Sequence, residues 1–522
     1  MPCRGNENMN EIKALHMTLT DMLEETCKRF PERKAVYFKG HEMDYQTLRT
    51  QVRRFAAGLK RMGIGKGDRV AIMLPNCPQY VVAYYGILRL GGIVVQINPM
   101  AVAGELEHFL SDSGAKGIVL YAPLTAVLDT VQAAGGIQAK IVVELMPTES
   151  EYGQNYVKFQ SIFIDEELEE AAAVRAEDVA VLQYTGGTTG RSKGAMLSHR
   201  NLVANAYQCY IIMGEEQKEQ DRILTAIPLF HVYAMTVCMN LAIWGGSQMI
   251  MLPRFDTNEV LETIRDTKPT LFPGVPTMYV AVNAHPQAVE YGISSIRLCV
   301  SGSAPLPVEV INAFEAKTKG MIIEGYGLSE ASPVTHFNPM DKRKAGSVGK
   351  PIPLTESKIV SLQDGAELGP NEYGELVVRG PQVMNGYWGL AEETAATIQD
   401  GWLYTGDIAT RDEDGYYYIV DRKKDLIIAG GYNVYPREVE EVLYQHPGIL
   451  EAVVIGVPDA YRGETVKAVI VSKQNASLTA EEVDAYCRKH MAAYKVPRII
   501  EFRDALPKTA VGKILRRLLR EA

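Results

Sequence analysis

The sequence predicts an α/β protein, with a large N-terminal domain of mainly parallel sheets covered by helices and a small mobile α+β domain after it. Three observations carry that expectation. Short apolar strands alternate with helical stretches over the first 300 residues. The texture then changes after about residue 370 to short strands separated by Asn, Gly and Asp turns. The 522 residues also exceed the ~250–300 at which one hydrophobic core stops growing.

From Asp68, "DRVAIMLPNCPQYVVAYYGILRLGGIVVQINP" reads as strand, helix, strand. Pro78 suits a first helical turn, where its missing N–H costs nothing, and Gly91-Gly92 stops the helix before a strand at Ile93 to Ile97. Further strands are expected at 117–121, 178–184, 222–227, 270–272 and 296–300. Parallel strands need crossovers, and helices supply them, so both sheet faces are covered. Ligands of such sheets sit at strand carboxyl ends, where "DVAVLQYT" runs into the stretch "YTGGTTGRSKG", Tyr184 to Gly194. Strands at "YGELVVRG" and "GYYYIVDRKK" lead to a boundary near 421–425, which divides the chain into 1–422 and 423–522. Beyond it come a helix at "YPREVEEVLYQH", strands at "AVVIGVP" and "ETVKAVIVSK", and a helix opened by a Thr479/Glu482 capping box.

Composition narrows the function classes. The net charge of −9 argues against a nucleic-acid binder, which would show a basic domain or stripe. Seven scattered cysteines, at 3, 27, 77, 209, 238, 299 and 487, lack metal-ligand spacing and read as reduced thiols of a cytoplasmic protein. No apolar run is long enough to span a bilayer, so any membrane contact would be peripheral, at the inner face. A homodimer stays open.

Successive glycines let backbone N–H groups converge on an anion, and hydroxyls add donors at the rim. Thr185, Gly186, Gly187, Thr188, Thr189, Gly190, Ser192 and Lys193 supply that combination, which suits a triphosphate tail. The spacing is not that of a Walker A loop, because Lys193 follows Ser192 and precedes Gly194. Kinase HRD and DFG motifs are missing as well. Taken alone, the stretch could equally be a Gly/Thr-rich surface loop.

It is accompanied by "PLFH" (228–231), "FPGVPTMY" (272–279), "SGSAPLP" (301–307), "EGYGLSE" (324–330), "GWLYTGD" (401–407), "DRKKDLI" (421–427), "GGYNVYPREVE" (430–440) and "PKTAVGKILRR" (507–517). In that order these resemble the signatures of the adenylate-forming superfamily of acyl-CoA synthetases, firefly luciferase and peptide-synthetase adenylation domains. The nearest resemblance is to bacterial long-chain fatty-acid–CoA ligases. It implies two steps: a fatty acid and ATP give acyl-adenylate and pyrophosphate, then coenzyme A displaces AMP.

Residue by residue, the resemblance implies that the loop holds the β- and γ-phosphates and that Lys513 is the adenylation catalyst. Tyr326 would stack on adenine, with Glu324, Gly325, Gly327 and Ser329 on one side of the pocket and Gly302, Ser303 and Ala304 on the other. Glu330 would hold Mg²⁺, a hard cation suited to carboxylate and phosphate oxygens. Asp407 and Arg422 would hold the ribose. His231 would lie beside the carboxylate and gate the thiol's route. Lys424 is the implied hinge of a C-terminal rotation that withdraws Lys513 and presents Gly430, Gly431 and Asn433 to the thioester step. Taken singly, each of these has a plainer reading, such as a solvated lysine, a turn aspartate or a core histidine.

Stretches 233–239, 275–279 and 301–305 are candidates to line an apolar acyl pocket. The rival substrates are medium-chain or aryl acids. An amino-acid substrate is disfavoured by His231, and a peptide-synthetase module by the little chain left for a carrier domain after Lys513. A nucleotide-binding regulator that kept the fold is the rival from another class; its expected mark would be loss of Lys513, Glu330 or Asp407, and all three stand in the sequence.

Overall fold

The computed structural model describes residues 11, 13–145, 152–163, 166–185, 191–213, 220–304, 306–430, 432–459, 461–473, 478–508 and 514–520. The chain forms two compact units, Met1–Glu356 with Arg379–Leu403, and Ser357–Val378 with Tyr404–Ala522.

The first unit is built on two twisted sheets. Among the described residues, one sheet orders its strands Val157–Lys158, Ala139–Val143, Gly117–Tyr121, Arg69–Met73, Ile93–Gln96, Val179–Thr185 and Lys193–Ser198. All its neighbours are parallel except the last pair, a hairpin closing on the glycine-rich loop. The other sheet has a parallel centre of Met321–Gly327, Leu298–Ser301, Leu271–Gly274, Arg222–Thr225, Gln248–Met251 and Lys34–Phe38, flanked by antiparallel edge strands. The expected βαβ unit is present, with its helix at Pro78–Arg89. That helix is apolar all round, which suits burial on every side, and each residue from Tyr80 to Arg89 is indeed buried. Its one charge is not left bare: Arg89 donates to Glu24 at 2.7 Å and to the Leu168 carbonyl at 2.7 Å.

The strands Gly374–Arg379, Trp402–Arg411 and Tyr417–Arg422, most of whose residues belong to the second unit, lie in one sheet, and within that unit Tyr432–Val434, Ile427–Ala429, Gly463–Ser472, Ile449–Asp459 and Ile499–Phe502 form another. The latter packs its apolar face, including Val454, Ala468 and Ile470, against the helices Pro436–Tyr444 and Ala480–His490 through Val439, Leu443 and Val483. Thr479 and Glu482 close their capping box. The six described cysteines are free and buried. Among the described residues no helix is long and apolar enough to cross a membrane.

Candidate active site

Two adjacent strand ends form the first part of the site. Leu298–Ser301 and Met321–Gly327 run parallel with Ser301 beside Glu324, so residues 302–304 leave the sheet beside 324–327, the end of the neighbouring strand, which stays paired with Val334–Phe337. The buried Glu324 carboxylate accepts the N–H groups of Leu306 and Gly346, both at 3.3 Å, and so ties the first turn down. Ser303 and Ala304 are exposed, and Ser303 holds a left-handed φ of 69°. Tyr326 is half-buried, with His336 edge-on at 5.8 Å. Gly327 admits no side chain, since a Cβ there would stand 2.1 Å from the Pro333 carbonyl oxygen. Burial drives the pKa of His336 down to about 3, which keeps a neutral ring beside Tyr326.

The glycine-rich loop is carried by the hairpin, whose last register pair is Thr185 opposite Lys193. Gly186, Gly187, Thr188, Thr189 and Gly190 lie outside the described residues. The turn Ser329–Ala331 packs against the strand Lys193–Ser198, which brings Glu330 to the hairpin. The connection runs through a residue that sequence reasoning passed over. Tyr387 donates its hydroxyl to Glu330 Oε1 at 2.9 Å, and its ring lies 5.2 Å from Lys193 Nζ.

His231 caps the short helix Val232–Ala234, its Nδ1 accepting the Tyr233 N–H at 3.3 Å. The segment leading to it is held by three buried amides, also unforeseen. Asn76 donates to the carbonyls of Thr225 (3.2 Å) and Ile227 (2.9 Å) and accepts the Leu229 N–H at 2.7 Å. Gln183 donates to the Phe230 carbonyl at 3.2 Å. Gln96, its register partner on the neighbouring strand, reaches the carbonyls of Leu229 at 3.0 Å and Phe230 at 3.3 Å in the amide orientation that satisfies both of its ends. The signal was available, because a lone amide in an apolar strand such as "IVVQI" or "AVLQY" must find a partner inside.

Of the acyl-pocket candidates, residues 233–239 are all buried and run into a π-helical turn at Met235–Asn240. Such wide turns recur at functional sites. The hydroxyls of Tyr233 and Tyr279 converge on the Val300 carbonyl at 2.6 and 2.9 Å, joining two of the candidate stretches at the residue that precedes the third. Pro305 lies outside the described residues.

The second unit holds the remaining candidates. Asp407 and Arg422 face each other across two antiparallel strands, with Arg422 Nε 3.3 Å from Asp407 Oδ1. Gly406, with a φ of 71° inside the strand Trp402–Arg411, donates to Glu375 at 3.0 Å. Lys423 is paired with the same carboxylate at 2.9 Å, whereas Lys424 is exposed. The protein around the Lys424 ammonium and the neighbouring Arg422 charge lower its pKa. Gly430 takes a left-handed φ of 62°, and Asn433 is exposed on the adjacent strand; Gly431 lies outside the described residues.

Lys513 also lies outside them, but the chain is pinned on either side of it. Lys508 bridges to Ile514, and Leu515 donates to the Pro507 carbonyl at 2.8 Å. Next in sequence, Arg516 forks onto the Glu440 carboxylate at 2.8 and 2.9 Å, and Arg520 meets Asp425 at 3.0 Å. Burial pushes Glu440 up to about 7 against the pull of Arg516. These arginines join the segment that follows Lys513 to the one containing Lys424 and to the helix bearing Glu440.

A family model of AMP-binding enzymes matches residues 23–388, and one of the AMP-binding enzyme C-terminal domain matches 438–513. The chain is 47% identical to a long-chain-fatty-acid–CoA ligase of Bacillus subtilis, with 99% of this chain and 96% of that one covered. It superposes on ATP-bound MatB from Rhodopseudomonas palustris with a TM-score of 0.88 at 31% identity, covering 97% of this chain and 99% of that one. An anthranilate CoA ligase in complex with anthranoyl-AMP gives a TM-score of 0.89 at 30% identity, with 97% of each chain covered.

Proposed function

We infer the reaction from the premise that the chain belongs to the AMP-binding enzyme family: it is an AMP-forming acid–thiol ligase that joins a long-chain fatty acid to coenzyme A. The observation that carries this reading is the likeness to a long-chain fatty-acid ligase along 99% of the chain. In the first half-reaction a carboxylate oxygen bonds to the α-phosphorus of ATP, and the bond to the β-phosphate oxygen breaks to release pyrophosphate. In the second, the thiol sulfur bonds to the acyl carbon, the thiol proton is lost, and AMP leaves with the bonding pair.

Both steps spread negative charge, which prearranged cations and N–H donors stabilise strongly in a site without bulk water. We assign the β- and γ-phosphates to Thr185, residues 186–190 and Lys193, adenine to Tyr326 between residues 302–304 and the strand end 324–327, and the ribose hydroxyls to Asp407 and Arg422. Lys513 bridges carboxylate and α-phosphate during adenylation, and His231 stands at the thiol's route. The moving boundary is set at 422/423, with Lys424 as hinge, and Gly430, Gly431 and Asn433 serve the thioester step.

Mg²⁺ fits the donors near the hairpin. Among the described residues no cluster of three His, Cys, Asp or Glu side chains gathers, so a cage made by protein alone is missing there. Mg²⁺ instead takes one or two carboxylates with substrate phosphates and water, and Glu330 beside a phosphate loop offers that set. When bound, the ion neutralises developing phosphate charge.

The test is CoA-dependent release of AMP and pyrophosphate from ATP across acids from acetate to oleate, with benzoate and coumarate included. A maximum at long chains is expected. Turnover of aryl or short acids alone would keep the chemistry and overturn the substrate, and ATP binding without turnover would favour the regulator. Lys513→Ala should nearly abolish adenylation yet spare thioester formation from supplied acyl-adenylate, and equal loss in both halves would remove Lys513 from its role.

A further inference from the structure

We propose that Tyr387 is a positioning residue that orients the Glu330 carboxylate for the divalent cation and couples it to the phosphate-loop lysine, Lys193. The proposal rests on the assignment of Glu330 to the metal and Lys193 to the phosphates.

Tyr387 sits in "MNGYWG", residues 384–389, a stretch with little regular structure of its own that is stitched to both halves of the phosphate site. Met384 donates its N–H to the Glu330 carbonyl at 2.8 Å. Asn385 donates to the Met196 carbonyl at 2.9 Å, Met196 to that of Gly386 at 2.8 Å, and Trp388 to that of Gly194 at 2.8 Å. The strap therefore adds to the edge of the strand Lys193–Ser198 while its other end grips the turn bearing Glu330. Tyr387 is anchored besides by its own N–H, which donates to Thr394 Oγ1 at 2.9 Å.

From this fixed backbone the side chain meets both charged groups. Its hydroxyl donates to Glu330 Oε1 at 2.9 Å. A carboxylate with one oxygen held is restrained about its terminal torsion, which is otherwise soft, and still has lone pairs for a cation. The ring face attracts the Lys193 ammonium, 5.2 Å from its centroid. Facing a carboxylate oxygen, which only accepts, the phenol hydroxyl is the donor of the pair. A tyrosine that merely filled the core would need the ring and not the hydroxyl.

Tyr387→Phe separates the two roles, since it removes one oxygen and leaves the ring over Lys193. The probe is Mn²⁺ binding to the full chain with α,β-methylene-ATP, followed by electron paramagnetic resonance, alongside nucleotide affinity without metal. Partners that orient metal ligands typically contribute 10–100-fold to affinity, so Tyr387→Phe should weaken Mn²⁺ binding by about 10-fold. Metal-free nucleotide affinity should stay within about twofold, because the contact to Lys193 is kept. The Mg²⁺ concentration for half-maximal adenylation should rise by a similar factor. Glu330→Gln is measured in parallel. If Glu330→Gln weakens Mn²⁺ binding and Tyr387→Phe leaves it unchanged, the positioning role is overturned and the metal assignment survives. If Glu330→Gln also leaves it unchanged, the metal assignment fails and takes the proposal with it.

Discussion

Replacing Asn76 by Ala tests how the segment that ends at His231 is held. Asn76 is 1% exposed, and its amide serves three backbone groups of that segment. The Thr225 carbonyl keeps a second partner, the Leu252 N–H at 3.1 Å. The Ile227 carbonyl and the Leu229 N–H lose the bonds that Asn76 provides, at 2.9 and 2.7 Å. An orphaned buried group costs about 1–3 kcal/mol, so two give a loss of about 4 kcal/mol. Asn76→Asp should do no better, because it keeps the acceptor for Leu229 but removes both donors and buries a charge beside two carbonyls. Urea unfolding followed by tryptophan fluorescence reads the effect through Trp244, which packs against Tyr207 in the same unit. With slopes of about 1–3 kcal/mol per molar urea, the midpoint should fall by more than about 1 M. A fall below about 0.3 M would show that the amide is not what holds the segment, and the reasoning would fail.

Two further outcomes are expected. Lys424→Pro fixes φ at about −65° and should favour one conformational state, slowing one half-reaction by about 10-fold or more relative to the other; unchanged rates of both would remove the hinge. His199 and His336 are buried as neutral rings, with pKa values lowered to about 4 and about 3 by desolvation. A folded pKa below the unfolded ~6.5 means that the stability is complete above that pH and is lost as pH falls through the window toward 4 and 3. At pH 5 each ring should contribute about 2 kcal/mol of destabilisation relative to pH 8. NMR titration checks this directly, because both rings should keep neutral-form shifts down to pH 5, and titration of both near 6.5 would refute it.

Much of the candidate site could be read from the sequence because its elements are local. Glycine runs, hydroxyls and a lysine at one strand end suit an anion, a reading that the accompanying motifs select over a plain surface loop, and Gly327 has a backbone reason to be glycine in the contact it makes with Pro333. The helix from Pro78, the strands 117–121 and 222–225 and the Thr479 cap follow from periodicity and capping, which are short-range physics. The hairpin strand Lys193–Ser198 was less legible, since "KGAMLS" has no period that marks it as an edge strand beside Thr185.

The order of the motifs, the apolar strands and the charged turns thus sufficed for fold class, family and reaction type. Which buried polar groups support the site did not follow from them. Asn76 lies 153 residues from Leu229, Tyr387 57 from Glu330 and Arg516 76 from Glu440. The strength of such a bond depends on distance and burial, which arise only when the sheets and turns are packed. An isolated Tyr or Asn in a sequence carries neither quantity; folding supplies both, and with them the difference between a residue that fills space and one that aims a carboxylate.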